Sequence, residues 1–432
     1  VNAVAAEGAA RADEPVQRGR ELVGDRARNV REEGGDVGAD EKDEALGQDP
    51  GSDIGGGAGI FRPKNPETKR AGKPNTGTKP TGRTTGPTRA RSSAAIEERV
   101  EDLLDKGNEA RDAKKFADAE NAYKEVLKLK PRDARAAYGL GNIYSDQQRW
   151  DEAEAAYRNS VAWAPNDADA YVALSVVLVQ PSPGADNAKR FADAETFARR
   201  SVQLDPKNPV GWDRLGVALQ SRGLANSETE HSYRRAIELD PQFAVAYAHL
   251  ARMLNRAGRG TESTPFYEKA IELAKDPATL NLIADSLQAE QLWPQSEPVI
   301  KRALELDSNN PTSLLLMGRL LVVNRKFQEA EPYLKSATEV SSRAFQPFNL
   351  LGRVYLGMDR YSDAEATYER ATAVAGTGEK KQLAGIFGFE GVGDGYLKSK
   401  QKDKAIRAYQ RALELDPNNN GAAQKLARAR AN

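Results

Sequence analysis

FADAENAYKEVLKLKP, residues 116–131, and WDEAEAAYRNSVAWAP, residues 150–165, carry one skeleton thirty-four residues apart: an aromatic, an acid, alanines, a tyrosine and a closing proline. The phrase returns as FADAETFARRSVQLDP, ending at Pro206, ETEHSYRRAIELDP at Pro241, YSDAEATYERATAVAG at Gly376 and KDKAIRAYQRALELDP at Pro417. Self-similarity at a fixed period decides the architecture before any single motif is weighed. Aligned on the recurrent proline and alanine, the repeats start at Val100, Ala134, Ala168, Pro209, Ala244, Pro277, Pro311, Phe345 and Ile386. Seven are 33 to 35 residues long, and the other two reach 41 through extra residues around QPSPGAD and TGEKKQLAG.

Each repeat reads as a closed pair of helices. Prolines at Pro131, Pro165, Pro206, Pro241 and Pro417 stop the second helix, while Asn208, Asp276 and Asn310 stand as caps before a first-turn proline. Small residues at Gly107, Gly141, Gly216, Gly318, Gly352 and Gly393 face Ala119, Ala153, Ala194, Ala330, Ala364 and Ala405, which lets antiparallel helices approach closely. Tyr123, Tyr157, Tyr233, Tyr267, Tyr368 and Tyr409 fill the space beside them. No single pair can bury its own apolar stripe, so each copy must be the next copy's core.

The pattern resembles the tetratricopeptide repeat over about three quarters of the chain. In the second repeat the family's small and aromatic places fall on Ala137, Leu140, Gly141 and Tyr144, then on Ala153, Tyr157, Ser160 and Pro165; the fourth repeat supplies the family's tryptophan as Trp212. The resemblance implies an all-α, right-handed superhelical solenoid of about nine helix pairs over residues 96–419, closed by a capping helix at 420–432. It also implies a non-catalytic scaffold that takes a protein or peptide in its concave face.

Composition narrows the remainder. Basic and acidic residues balance at 63 each, so electrostatic roles must be local. There is no cysteine, which excludes thiolate metal sites, disulfides and a cysteine nucleophile, and only two histidines remain. No stretch approaches the roughly 20 apolar residues of a membrane helix. The compartment stays undetermined; the chain starts at Val1, as a processed product, a fragment or an alternative start would. Residues 1–95 hold few large apolar residues and are expected to be a disordered arm. Up to Ile60 the arm has seven basic and fourteen acidic residues, and from Phe61 to Ala95 nine basic and one acidic, with recurrent prolines that favour an extended tether.

Enzymatic motifs are poor. His249 and His231 fall inside helices without metal-ligand spacing, as solvated or packed histidines do, and no catalytic residue, metal or cofactor is expected. GFEGVGDG, residues 388–395, lies at a repeat's packing position and not behind a strand, so it reads as a weak helix, with repeat nine the least stable.

In this family the concave face comes mainly from the second, fifth, ninth, twelfth and thirteenth places of the first helix. The ninth place reads Asn108, Asn142, Val176, Val217, Arg252, Asp285, Arg319, Arg353 and Asp394. Arg252, Arg319 and Arg353, with Arg256 at a thirteenth place and Asn281 and Asn349 at fifth places, form a row suited to an acidic segment or a free carboxyl terminus. The arm's acidic stretch, residues 36–53, is a candidate occupant. Upstream, Val172, Val176 and Val217 make either an apolar pocket for a partner side chain or the wall against which QPSPGAD folds. Asn108 and Asn142 match two asparagines of the carboxylate clamp that binds chaperone tails, but Leu104 and the valines replace its basic members, which disfavours that partner. The rival reading is a tether whose basic segment, Arg62 to Arg91, contacts a polyanion or membrane surface without nucleic-acid specificity.

Overall fold

A computed structural model describes residues 63–68, 88–180 and 186–431. Their regular structure is helical throughout, as the period requires. Nine helix pairs follow one another: α1 (Thr88–Asp112) with α2 (Phe116–Leu129), α3 (Ala134–Asp146) with α4 (Trp150–Trp163), α5 (Ala168–Leu178) with α6 (Asn187–Leu204), and α7 (Pro209–Ser221) with α8 (Ser227–Leu239). Then come α9 (Ala244–Arg256) with α10 (Gly260–Leu273), α11 (Pro277–Ala289) with α12 (Trp293–Leu306), α13 (Pro311–Val323) with α14 (Phe327–Val340), and α15 (Phe345–Gly357) with α16 (Tyr361–Val374). After the short α17 (Thr377–Ala384), α18 (Phe389–Lys398) pairs with α19 (Lys402–Leu415), and α20 (Asn420–Ala431) packs on α19.

Local chemistry sets the ends. Second helices stop two residues before each marking proline, at Leu129, Trp163, Leu204, Leu239 and Leu415. First helices begin on side-chain caps: Asn208 accepts from the amides of Val210 and Gly211, Asp276 from Thr279 and Asn310 from Ser313, each followed by proline in the first turn. Where the turn between the helices of a pair is described in full, the chain reverses through one residue in the left-handed region, such as Lys114 (φ 56°), Gln148 (φ 58°) or Gly223 (φ 76°).

The recurrent tyrosine does more than fill space. A Cβ added to Gly141 would stand 2.5 Å from the Tyr157 ring, so the ring lies directly on the glycine backbone and is fully buried. Tyr123 meets Gly107 in the same way, Tyr233 meets Gly216, and Leu334 takes that role against Gly318. The same pair of places, repeated, builds a core that runs along the stack in three clusters, in which each repeat's second helix supports the next repeat's first.

Three local features depart from the sequence reading. Most of residues 1–95 lie outside the described residues, but α1 starts at Thr88, seven residues before the expected boundary at 95, because no proline follows Pro87 to interrupt it. Residues 63–68 have no regular secondary structure and lie against the first repeats. The ninth repeat's first helix begins only at Phe389, and the extra residues before it form α17. There a Cβ on Gly388 would sit 2.0 Å from the Leu383 carbonyl oxygen, so the tight passage from α17 to α18 requires glycine.

Candidate binding groove

The groove of the first two repeats follows from the tyrosine contact. Tyr123 Oη donates to Asn108 Oδ1 at 2.7 Å, and Tyr157 Oη donates to Asn142 Oδ1 at 2.8 Å. Burial pushes both phenols well above their ordinary value, so they remain donors. With the amide oxygens held in this way, both amide nitrogens point into the groove. Asn108 Nδ2 donates to the Pro66 carbonyl at 3.0 Å and Asn142 Nδ2 to the Lys64 carbonyl at 2.9 Å. Glycine, tyrosine and asparagine thus form one relay from packing to recognition in each of the first two repeats.

Arg111 completes the grip. Its guanidinium, 1 % exposed, donates from Nη1 to the Pro63 carbonyl at 2.7 Å and to Asn65 Oδ1 at 3.0 Å. From Nε and Nη2 it holds Asp146 of the second repeat at 2.7 and 3.1 Å. Burial works against this charge, yet the bond and charge of Asp146 outweigh it and hold the guanidinium above its ordinary value. Asn65 Nδ2 donates in turn to Asp112 Oδ2 at 2.9 Å, and Arg135 Nη1 reaches the Glu67 carbonyl at 3.3 Å.

The residues of the expected arginine row sit differently. Arg252 is buried, Arg256 holds Glu290 at 2.7 Å, and Arg319 holds Asp285 at 2.5 Å and Gln288 at 2.6 Å. Asn281 is engaged by Asn310 and Ser313 of the next repeat. Asn349 is buried, and one turn on, Arg353 lies over the Phe387 ring at 4.4 Å, its pKa lowered by burial. Val172 and Val176 are buried in the third repeat, and Val217 is half-buried between two core clusters. The acidic stretch of residues 36–53 lies outside the described residues.

His249, expected to be packed or solvated, is packed: its Nδ1 lies 2.8 Å from Asp213 Oδ1, beside Arg214. Burial alone would raise the Asp213 carboxyl, but the charges of His249 and Arg214 overcome this and hold it below its usual range. This cluster was not visible in the sequence. No group of three or more His, Asp or Glu side chains is placed to hold a metal ion among the described residues. None of the described helices is long and apolar enough to cross a membrane.

Family patterns described as tetratricopeptide repeat match residues 104–170, 145–209, 243–276, 346–376 and 388–419. The chain belongs to the tetratricopeptide repeat family. Solved structures similar to this tetratricopeptide repeat chain include MamA, at 24% identity over 41% of this chain and 92% of that one, with a TM-score of 0.35. YrrB, described as a tetratricopeptide repeat protein with an unusual peptide-binding site, is similar at 18% identity over 46% and 97%, TM-score 0.36. The Cut9–Hcn1 hetero-tetramer of APC/C is similar at 12% identity over 79% and 99%, TM-score 0.38. A comparison with curated proteins finds no match.

Next to residues 63–68, a cavity of about 470 Å³ opens in this tetratricopeptide repeat array. Tyr138, Asp169, Asn208, Arg214 and Thr279 line it, and Lys64 stands at its wall. The arm segment and the cavity are therefore contiguous.

Proposed function

We propose that this protein is an interaction scaffold that holds a partner's extended segment along the concave face of its repeats, gripping the main chain with Asn108 and Asn142. The observation that carries this reading is the relay already described, in which two buried tyrosines orient two amides onto carbonyls two residues apart. Side chains pointing to one side of an extended ligand alternate, so donors at every second carbonyl hold it without reading each residue. The adjoining cavity offers room for the ligand's continuation. An acidic segment at the arginine row is less well supported, since Arg256 and Arg319 already hold the carboxylates of Glu290 and Asp285.

The test uses the full chain with Pro63→Ser, Asn65→Ala and Pro66→Ser, which removes the two buried prolines and the Asn65 bonds to Arg111 and Asp112 and so weakens self-occupation of the groove. Peptides selected from a displayed random library are titrated against it and against the same chain with Asn108→Asp or Asn142→Asp. These changes keep an acceptor for each tyrosine and remove the groove donor. Each is expected to weaken the selected peptides about three- to tenfold, the range for one hydrogen bond. Equal affinity for all three chains, with circular dichroism unchanged, overturns the reading.

A further inference from the structure

Resting on that reading, we infer that the groove of repeats one and two recognises the pattern Pro-x-Asn-Pro, and that the protein's own residues 63–66 occupy it as a tethered competitor which a partner must displace. Three observations carry this. First, Pro63 and Pro66 are buried while Lys64, between them, is exposed, so the groove covers the prolines and leaves the intervening position open. Second, Asn65 is read from both sides: its oxygen accepts from Arg111 and its nitrogen donates to Asp112. Aspartate there would set a second carboxylate against Asp112, and an aliphatic side chain would give up both bonds. Third, every main-chain contact made by Asn108, Arg111, Arg135 and Asn142 to this segment is with a carbonyl. Proline has a carbonyl and no N–H, which suits a surface that offers donors.

The tether makes self-occupation effective. Residues 69–87 join the segment to α1, nineteen residues in all. Nineteen residues of random coil would span roughly 25 Å, and tethers of that reach give effective concentrations on the order of millimolar. With a dissociation constant of ~0.1 mM for the tethered segment itself, any peptide then meets about tenfold competition in the intact protein.

A labelled synthetic peptide of residues 60–70 is titrated against the full wild-type chain and against the full chain carrying Pro63→Ser, Asn65→Ala and Pro66→Ser. Binding to the vacated chain at least tenfold tighter than to wild type is expected, together with a tenfold loss when the peptide carries Asn65→Asp. Equal affinity for both chains overturns the tethered competitor. If the Asn65→Asp peptide binds as well as the parent, the sequence pattern is overturned. If library peptides bind the vacated chain through Asn108 and Asn142 while this peptide does not, the inference fails and the scaffold reading stands. Loss of asparagine dependence for every peptide removes the scaffold reading itself.

Discussion

Replacing Gly141 with alanine probes the contact from which the groove is built. The new Cβ would lie 2.5 Å from Tyr157 Cε1, 2.6 Å from Cδ1 and 2.8 Å from Cζ. Carbon atoms in contact prefer about 3.5–4.0 Å, so α3 and the tyrosine must separate by about 1 Å. Tyr157 is fully buried and has no open direction of retreat. Overpacking of this kind costs about 1–3 kcal/mol, against roughly 1 kcal/mol gained from alanine's helix propensity. Displacing the phenol also unseats Asn142 Oδ1, a buried acceptor whose loss of partner costs about 1–3 kcal/mol. The net expectation is a loss of about 1–5 kcal/mol, centred on the second repeat. Hydrogen exchange across α3 and α4 in urea reports this locally, and Trp150 and Trp163, at the two ends of α4, give a fluorescence readout. Local stability equal to wild type or higher in Gly141→Ala refutes the tyrosine-on-glycine argument.

Gly378→Ala is the converse case: nothing lies within 4 Å of its added Cβ, and thermal unfolding should show a change between zero and about +1 kcal/mol, in the stabilising direction. The Asp213 carboxyl is depressed in the folded chain, so its contribution is fully present above the unfolded pKa of about 3.9 and is lost as pH falls through the lower folded value. Asp213→Asn should lower stability at pH 7 by about 3–5 kcal/mol, because Arg214 and His249 lose a buried partner, and should flatten the acid limb of a urea-midpoint against pH curve. An acid limb identical to wild type would show that Asp213 does not carry it.

The repeat boundaries, the caps and the glycine–tyrosine pairs were legible because each rests on spacing within thirty-odd residues. Asn108 and Asn142 were legible too, once the register was fixed. Arg111 stands at the twelfth place of the first repeat, and the same register would have found it had the search extended beyond arginines at the ninth and thirteenth places. The partners of the expected arginine row were not legible place by place for a physical reason: equal places in successive repeats are neighbours, just as residues four apart are neighbours on one helix. Asp285 and Arg319 are both ninth-place residues, and Glu101 and Arg135 are both second-place; each pair closes an ion pair across the seam. Reading charges in pairs one period apart would have shown which arginines were already engaged. Docking of residues 63–68 had no such signal, since a short proline-rich stretch more than forty residues from its contacts carries no periodicity of its own.

Arg111 belongs to one repeat, clasps Asp146 of the next, and holds the Pro63 carbonyl with the same planar group. Recognition is therefore assembled across a joint, and the hinge angle between the first two repeats is part of the site. Any load that opens this joint draws the clasp out of register and releases what it holds; by reciprocity, an occupant in place stiffens the joint.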